Sequence, residues 1–329
     1  MKKKWSVYIP VFRTPIEPQR EIFDPVADLL TDPARDEQEL SDRLSGADAV
    51  LTTLDTRITR TVIETSPHLK VIGKYGVGVE NIDVEAATRA GIPVTYIPLV
   101  NSNATADLTI GLILAALRRI QIAKAHMKTG AWKDDRFLGL ELRDKTIGII
   151  GYGNVAKLVI RKLQGFDVDR ILVFSESRSG ENPEWPNVRF TDLESLLRES
   201  DIVSIHKTLT PRSKGLIGKP QLKIMRRSAF LINTARGPLV DENSLIDALK
   251  NGTLAGAALD VYEREPLAAD SPLLALDNVV LTPHIGGVTH EARNQMVSVL
   301  ARNVVDLLEG RRIDDRYIVN REVFVQKQP

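Results

Sequence analysis

Short apolar runs rich in β-branched residues recur along this chain, and most are followed by a segment of helical periodicity. That rhythm constrains the fold more than any other feature. WSVYIPVF, ADAVLTT, LKVIGKYG and IPVTYIP form a first series. TIGIIGYG, RILVFSES, DIVSIHK, AFLINTAR, LAGAALDV and NVVLTPH form a second. Strands that alternate with helices pair in parallel, because each helix carries the chain back across a face of the sheet. Between the two series lies TADLTIGLILAALRRIQIAKAHMKTG, rich in Ala, Leu and Ile and stopped near Gly130, which predicts one long, largely buried helix. Two series in 329 residues imply two cores. After His290, EARNQMVSVLARNVVDLLEG reads as a further helix, and the RRIDDRYIVN tail has no partner in the second series. The expected organisation is therefore discontinuous, with residues 1–103 and 291–329 forming one domain around an inserted domain, 104–290. Within the insert, DENSLIDALKNG carries its own punctuation, Asp241 to cap the first turn and Gly252 to end the last.

Composition narrows the function classes. With 44 basic and 43 acidic residues the net charge is +1, so there is no general pull toward nucleic acid or an anionic membrane, and any anion must be bound locally. No cysteine is present, which excludes disulfides and a thiolate nucleophile. The five histidines lack a ligand-like spacing with acidic residues, so no metal site is expected. The MKKK start leads into a stretch broken by Pro and Arg, too interrupted for a signal peptide, and no apolar run approaches a membrane span. A soluble, cytoplasmic protein is the expectation.

The first chemistry lies in TIGIIGYGNVAKLVIRKL. Gly151 and Gly153 sit where an apolar strand turns into a helix, and Ala156 fills the third position of a GxGxxG/A pattern. Bare backbone there permits a tight turn and close approach of a pyrophosphate, whose charge the free amides of the helix N-terminus would meet. A second strand, ILVF, ends about twenty residues later. The position that would hold both ribose hydroxyls is Ser175 in place of a carboxylate, and Arg178 follows. A serine donor and a guanidinium suit a 2′-phosphate, so SESRS tilts the site toward NADP over NAD, with Glu176 opposing. A solvated turn that accepts either cofactor stays open.

Taken together, LKVIGKYGVGVENIDVEAATRAGIPV, the GYGNVA turn, SDIVSIHKTLTPRSKGLI, AFLINTARGPLVDENSLIDAL, LAGAALDVYEREPL and NVVLTPHIGGVT resemble the D-isomer-specific 2-hydroxyacid dehydrogenases, the family of phosphoglycerate dehydrogenases and glyoxylate/hydroxypyruvate reductases. The landmarks run in the family's order from about residue 69 to residue 289. The resemblance implies an α/β chain of two Rossmann-like domains with parallel sheets: a flavodoxin-like substrate-binding domain and a doubly wound dinucleotide-binding domain. It implies an enzyme that moves a hydride between NAD or NADP and a small 2-keto/2-hydroxy acid pair, and a homodimer in contact through the helix beginning at Thr105.

It also implies a catalytic set. Arg236 would grip a keto acid with a two-pronged guanidinium, His284 would exchange a proton with the ketone oxygen, and Glu265 would hold the imidazole and raise its pKa. On the substrate side it implicates the amides of Val77 and Gly78, freed by the glycines of KYGVGVEN, with Lys74 adding charge and Asn101 near the domain crossing. On the cofactor side it implicates Asn154 and Val155 at the phosphates, Thr208 and Thr234 along the ribose, Asp260 at the nicotinamide amide, and Thr105, His206, Ala235, Gly286 and Gly287 around them. Lys74 and Arg136 would suit an acidic or phosphorylated substrate tail. Departures from the family pattern are Thr208 for the usual Pro, Asp107 for the usual Glu, and GFDVDR where a glycine usually follows Phe166. The chain has no counterpart of the regulatory domain found in many phosphoglycerate dehydrogenases, so feedback control through one is not expected. Formate dehydrogenases carry Gln where Glu265 stands, and adenosylhomocysteine hydrolases use different site residues. The competing class is an NAD(H)-sensing interaction protein resembling the C-terminal binding corepressors.

Overall fold

A computed structural model describes residues 4–9, 17–53, 56–98, 100–130, 132, 135–178, 180–181 and 184–325. The chain divides into two compact units, Met1–Asn101 with Val288–Pro329, and Ser102–Gly287. No helix among the described residues is long and apolar enough to cross a membrane.

The sheet of the first unit contains β1 (Trp5–Tyr8), β2 (Ala27–Leu30), β3 (Ala49–Thr52), β4 (Val71–Lys74) and β5 (Val94–Tyr96). All neighbours are parallel and the order is β2-β1-β3-β4-β5, the flavodoxin-like arrangement. The sequence rhythm misses β2, because this edge strand buries only Ala27 and so presents no apolar run. The last positions of WSVYIPVF, 10–12, lie outside the described residues. Alternation sends Tyr8, Val50, Ile72 and Val94 to one face, and Val7, Leu51 and Val71 to the other. The second face is covered by Leu300, Ala301 and Val304 of the helix His290–Leu308. A Cβ on Gly73 would sit 3.0 Å from Val304 Cγ2, so the bare strand lets that helix lie close. The tail joins this sheet: Ile318 bridges Thr95, and the fully buried Asn320 accepts from Val94 N–H at 2.7 Å while donating to Ile92 O at 2.9 Å and Thr88 Oγ1 at 3.1 Å.

The second unit contains β6 (Thr146–Ile150), β7 (Arg170–Phe174), β8 (Gly180–Glu181), β9 (Val188–Phe190), β10 (Ile202–Ile205), β11 (Phe230–Asn233), β12 (Gly256–Leu259) and β13 (Val279–Leu281). Their order is β13-β12-β11-β10-β6-β7-β9-β8, parallel throughout except for β8, which runs antiparallel to β9. The order reverses between β6 and β10, as in doubly wound sheets, which place ligands at that switch point beyond the strands' carboxyl ends. Here those ends lead into Gly151, Ser175, His206, Thr234, Asp260 and, slightly later, His284. The expected α/β class with two Rossmann-like units is observed. The strands β8 and β9 escape the sequence pattern because they hold two and three residues.

The expected long helix is two. One spans Ser102–Leu117, starting three residues before Thr105, and the next spans Ile120–Met127 with none of its residues buried. Arg119 between them is left-handed, with φ 52°, and the Leu117 carbonyl at the break accepts from Leu140 N–H at 2.9 Å. A Cβ on Gly139 would fall 2.6 Å from that same carbonyl, so the returning chain sits against the helix end. LRRI holds neither Gly nor Pro, and the break comes from this tertiary contact. Asp241 does cap its helix, accepting from Ser244 N–H at 2.7 Å, and Gly252 follows it with φ +63°.

Asn320 holds two buried backbone groups, the Val94 N–H of β5 and the Ile92 carbonyl just before it, that would otherwise be unpaired. Asn320→Ala should therefore cost about 2 to 4 kcal/mol in urea unfolding.

Candidate active site

His284 stands just beyond β13 with φ +55°, a left-handed conformation that a β-carbon residue adopts only when its surroundings enforce it. The enforcing group is Asp260, at the end of β12 and almost fully buried. Its Oδ1 accepts from Thr282 Oγ1 at 2.6 Å and Ile285 N–H at 2.8 Å, and its Oδ2 accepts from Gly286 N–H at 2.8 Å. His284 N–H donates to Asp260 O at 2.8 Å. Gly286 is pressed between this carboxylate and the first turn of the helix Ser102–Leu117: a Cβ there would lie 3.0 Å from Asp260 Oδ2 and 3.4 Å from the Thr105 methyl.

In this conformation His284 Nδ1 meets Glu265 Oε2 at 2.6 Å, both side chains being about one third exposed. The other oxygen, Oε1, accepts from Tyr262 N–H at 3.1 Å. The hydrogen bond to Glu265 raises the His284 pKa against its burial and the nearby Arg236 guanidinium, and the charges of Glu265 and Asp260 reinforce the rise. Burial pushes Glu265 upward, but the bonds from His284 and Tyr262 and the charges of His284 and Arg236 leave it net below the usual carboxylate value. Both shifts favour an imidazolium–carboxylate pair with Nε2 left to act on a ligand.

Arg236 is half-buried, in the turn after β11, with Nη1 donating to Ala235 O at 2.8 Å. Asn233 shapes that turn: its Nδ2 donates to Arg236 O at 2.9 Å, and its Oδ1 accepts from Ala235 N–H at 3.0 Å. At Gly237 any Cβ would overlap the Tyr262 carbonyl, so the loops bearing Arg236 and Glu265 are in backbone contact. Sequence reasoning did not single out Asn233, Gly237 or Tyr262. The available signals were a polar residue closing an apolar strand and a glycine directly after the arginine. Thr234 is buried, its hydroxyl 2.9 Å from that of Thr109. Tyr262 is anchored by its hydroxyl to Thr282 O at 2.8 Å, and burial pushes that phenol up to about 12.

The glycine turn fits a nucleotide's pyrophosphate. Gly151 has φ +99° and a Cβ there would sit 2.5 Å from His206 O, so the turn closes against the end of β10. At Gly153 the same test meets nothing within 4 Å, which leaves open space over the first amides of the helix Asn154–Leu163, where Asn154 and Val155 lie. Ala156 is fully buried where the helix approaches the strands. His206 Nε2 lies 2.9 Å from Ser204 Oγ, and burial lowers its pKa to about 4, so it is a neutral wall. Thr208 is exposed. Beyond β7, Ser175 accepts a long 3.4 Å bond from Ser177 N–H, and Arg178 lies over the Tyr152 ring at 5.4 Å; Ser175, Glu176, Ser177 and Arg178 line an open cavity of ≈ 580 Å³ with Phe174, Phe190, Thr191 and Asp192.

In the first unit, Gly76 has φ +102°, and among the described residues neither the Val77 nor the Gly78 amide donates a hydrogen bond. Lys74 is fully buried at the end of β4 and so is no solvated surface cation, whereas Arg136 is exposed. Asn101 is the last residue of the unit's first segment.

A doubly wound sheet with this turn and a paired histidine–carboxylate defines a nucleotide-dependent oxidoreductase scaffold. Residues 110–286 match the family model for the D-isomer specific 2-hydroxyacid dehydrogenase, NAD binding domain. Over 291 residues the chain is 45% identical to a glyoxylate reductase of Thermofilum pendens, covering 87% of this chain and 85% of the relative. The crystal structure of the TT0316 protein of Thermus thermophilus superposes with a TM-score of 0.88 at 37% identity, covering 95% of this chain and 99% of that one. An acyclic imino acid reductase (Bsp5), solved in complex with NADPH and D-Arg, superposes with a TM-score of 0.83 at 27% identity over 95% of this chain and 99% of that one. The chain belongs to the D-isomer specific 2-hydroxyacid dehydrogenase family, and the matched domain is one that binds a nicotinamide cofactor.

Because Gly237 leaves no room for a methyl group, Gly237→Ala should destabilise the protein by about 3 kcal/mol or more in urea unfolding. A variant of unchanged stability would show that the two loops can part.

Proposed function

We propose that this chain is an NAD(P)-dependent dehydrogenase interconverting a D-2-hydroxy acid and its 2-keto acid, with a glyoxylate-, hydroxypyruvate- or phosphoglycerate-like substrate. The observation that carries this reading is the 2.6 Å His284–Glu265 pair, its imidazole raised in pKa within reach of the Arg236 field. The nicotinamide, when bound, supplies or takes up the hydride. Arg236 offers a planar fork that can hold the substrate carboxylate and draw electron density from the adjacent ketone. His284, protonated through its pairing with Glu265, gives the Nε2 proton to the ketone oxygen, and in the opposite direction removes it from the hydroxyl. Glu265 keeps the ring oriented and offsets its charge.

We assign the substrate-binding role to Met1–Asn101 with Val288–Pro329 and the dinucleotide-binding role to Ser102–Gly287. In the first, the amides of Val77 and Gly78 are donors for the substrate carboxylate, with Lys74 and Asn101 as further substrate residues. In the second, Gly151, Gly153, Asn154 and Val155 hold the pyrophosphate; Thr105, His206, Thr208, Thr234, Ala235, Asp260, Gly286 and Gly287 surround the remainder. Ser175 and Arg178 favour NADP over NAD, supported by the absence of a carboxylate at 175 and by NADPH in the related imino acid reductase. A homodimer is supported by exposed apolar side chains in one stretch of the second unit, Ile120, Met127, Trp132, Leu138 and Leu140. A cytoplasmic setting fits the cysteine-free composition. The reductase relative speaks against the nucleotide-sensing alternative.

Two measurements test the reading. A panel of 2-keto acids, followed by absorbance of the reduced nicotinamide, should show turnover with a higher kcat/KM for NADPH than for NADH. Tight nucleotide binding without turnover of any acid would refute it. For the proton, reduction needs imidazolium, so its kcat/KM should fall as pH rises through the elevated His284 pKa. Glu265→Gln removes the cause of the elevation; it should move that descending limb to lower pH and reduce kcat by about 10². A limb that stays in place would remove His284 from the role.

A further inference from the structure

Glu176 follows Ser175 at the mouth of the cavity beyond β7, and a free carboxylate there would oppose a 2′-phosphate. Its Oε1 lies 3.0 Å from Lys207 Nζ. The Lys207 side chain is only 17% exposed, while that of Glu176 is 72% exposed, so a sunken ammonium holds down a carboxylate that would otherwise be solvated. The Lys207 main chain is packed from below. It follows His206 directly after β10, and its backbone nitrogen lies 3.0 Å from where a Cβ on Gly151 would be, so it belongs to the packing of the glycine turn.

The other charges around this cavity point the same way. Asp192, the second carboxylate of the lining, accepts from Ser195 N–H at 2.9 Å and from the Ser195 hydroxyl at 2.7 Å as a helix cap. Tyr152 is held edge-on by Phe190, with centroids 5.0 Å apart, and carries two cations on its ring, Arg178 at 5.4 Å and Lys157 at 5.2 Å. Among the described residues, neither cation pairs with a carboxylate. Both acidic groups at the mouth are thus engaged while two cations remain.

We propose that Lys207 is a cofactor-specificity residue: by pinning Glu176 it withdraws the negative charge that would repel a 2′-phosphate, so that a chain with an acidic residue beside Ser175 still accepts NADP. This rests on the nucleotide site described above and adds a residue from a different loop to it. Lys207 acts on Glu176, and the phosphate itself is met by Ser175 and Arg178.

The test is a double-mutant cycle read by equilibrium binding of NADPH and NADH through nucleotide fluorescence, using wild type, Lys207→Met, Glu176→Gln and the double variant. Lys207→Met should weaken NADPH binding about tenfold and NADH binding less than about twofold. The double variant should recover NADPH affinity to within about threefold of wild type. Glu176→Gln alone should not weaken NADPH binding, because the paired carboxylate exerts little net repulsion and its removal leaves the Lys207 charge in place; Lys207→Gln serves in the cycle if Lys207→Met does not fold. The proposal is overturned if Lys207→Met leaves NADPH binding intact or weakens both nucleotides equally. It is also overturned if the double variant stays as weak as the single, which would place Lys207 on the phosphate itself, or if Glu176→Gln alone weakens NADPH binding. The wild-type ratio of the two affinities separately tests the NADP preference, so a failure of that preference is distinguishable from a failure of the clamp.

Discussion

The site rests on one buried carboxylate. Asp260 is shut away from water, and a charge in that position is tolerable only with donors around it. Among the described residues its side chain accepts from Thr282, Ile285 and Gly286, which come from the short segment after β13. Satisfying the carboxylate therefore bends that segment around it and holds His284 at a backbone angle that a free peptide would avoid. The bend brings His284 to Glu265, and the pairing in turn sets the protonation of the imidazole. A buried electrostatic requirement on one strand thus becomes the orientation and basicity of a side chain on the next.

A second constraint is steric. Gly151, Gly237 and Gly286 each face a carbonyl or carboxylate oxygen at a distance that excludes a side chain or presses hard against one. They let the segments leaving β6, β11 and β13 pack against their neighbours through backbone. The arrangement is rigid because main chain has few alternative conformations once its hydrogen bonds are made. Gly153 is the opposite case, a missing side chain beside open space, which is what a ligand needs.

Much of this was legible in the sequence. The parallel sheets follow from the alternation of apolar runs with helical segments, and the glycine turn from its place between strand and helix. The family resemblance then pointed to Arg236, Glu265 and His284 as the candidate catalytic set, and the structure contains a His284–Glu265 contact. What stayed hidden has physical reasons. The edge strand β2 is too solvated to show a pattern, β8 and β9 are too short, and the helix break at Arg119 comes from a distant carbonyl contact that leaves no local mark. Asp260 could be named as a cofactor residue, but its hold on the His284 loop depends on three donors 22 to 26 positions away. The Lys207–Glu176 pair joins two loops whose proximity only the sheet order β10-β6-β7 explains.

The interrupted course of the first unit also imposes an order on biosynthesis. Its β4 is roofed by the helix His290–Leu308 and the N–H of Val94 is satisfied by Asn320, so a nascent chain that has only reached residue 287 lacks both the main cover of that face and the partner of that amide. By then the inserted unit already possesses every strand it needs. On the ribosome the insert can mature while the flanking half waits for residues 288–329, a period during which its apolar strand faces are incompletely covered.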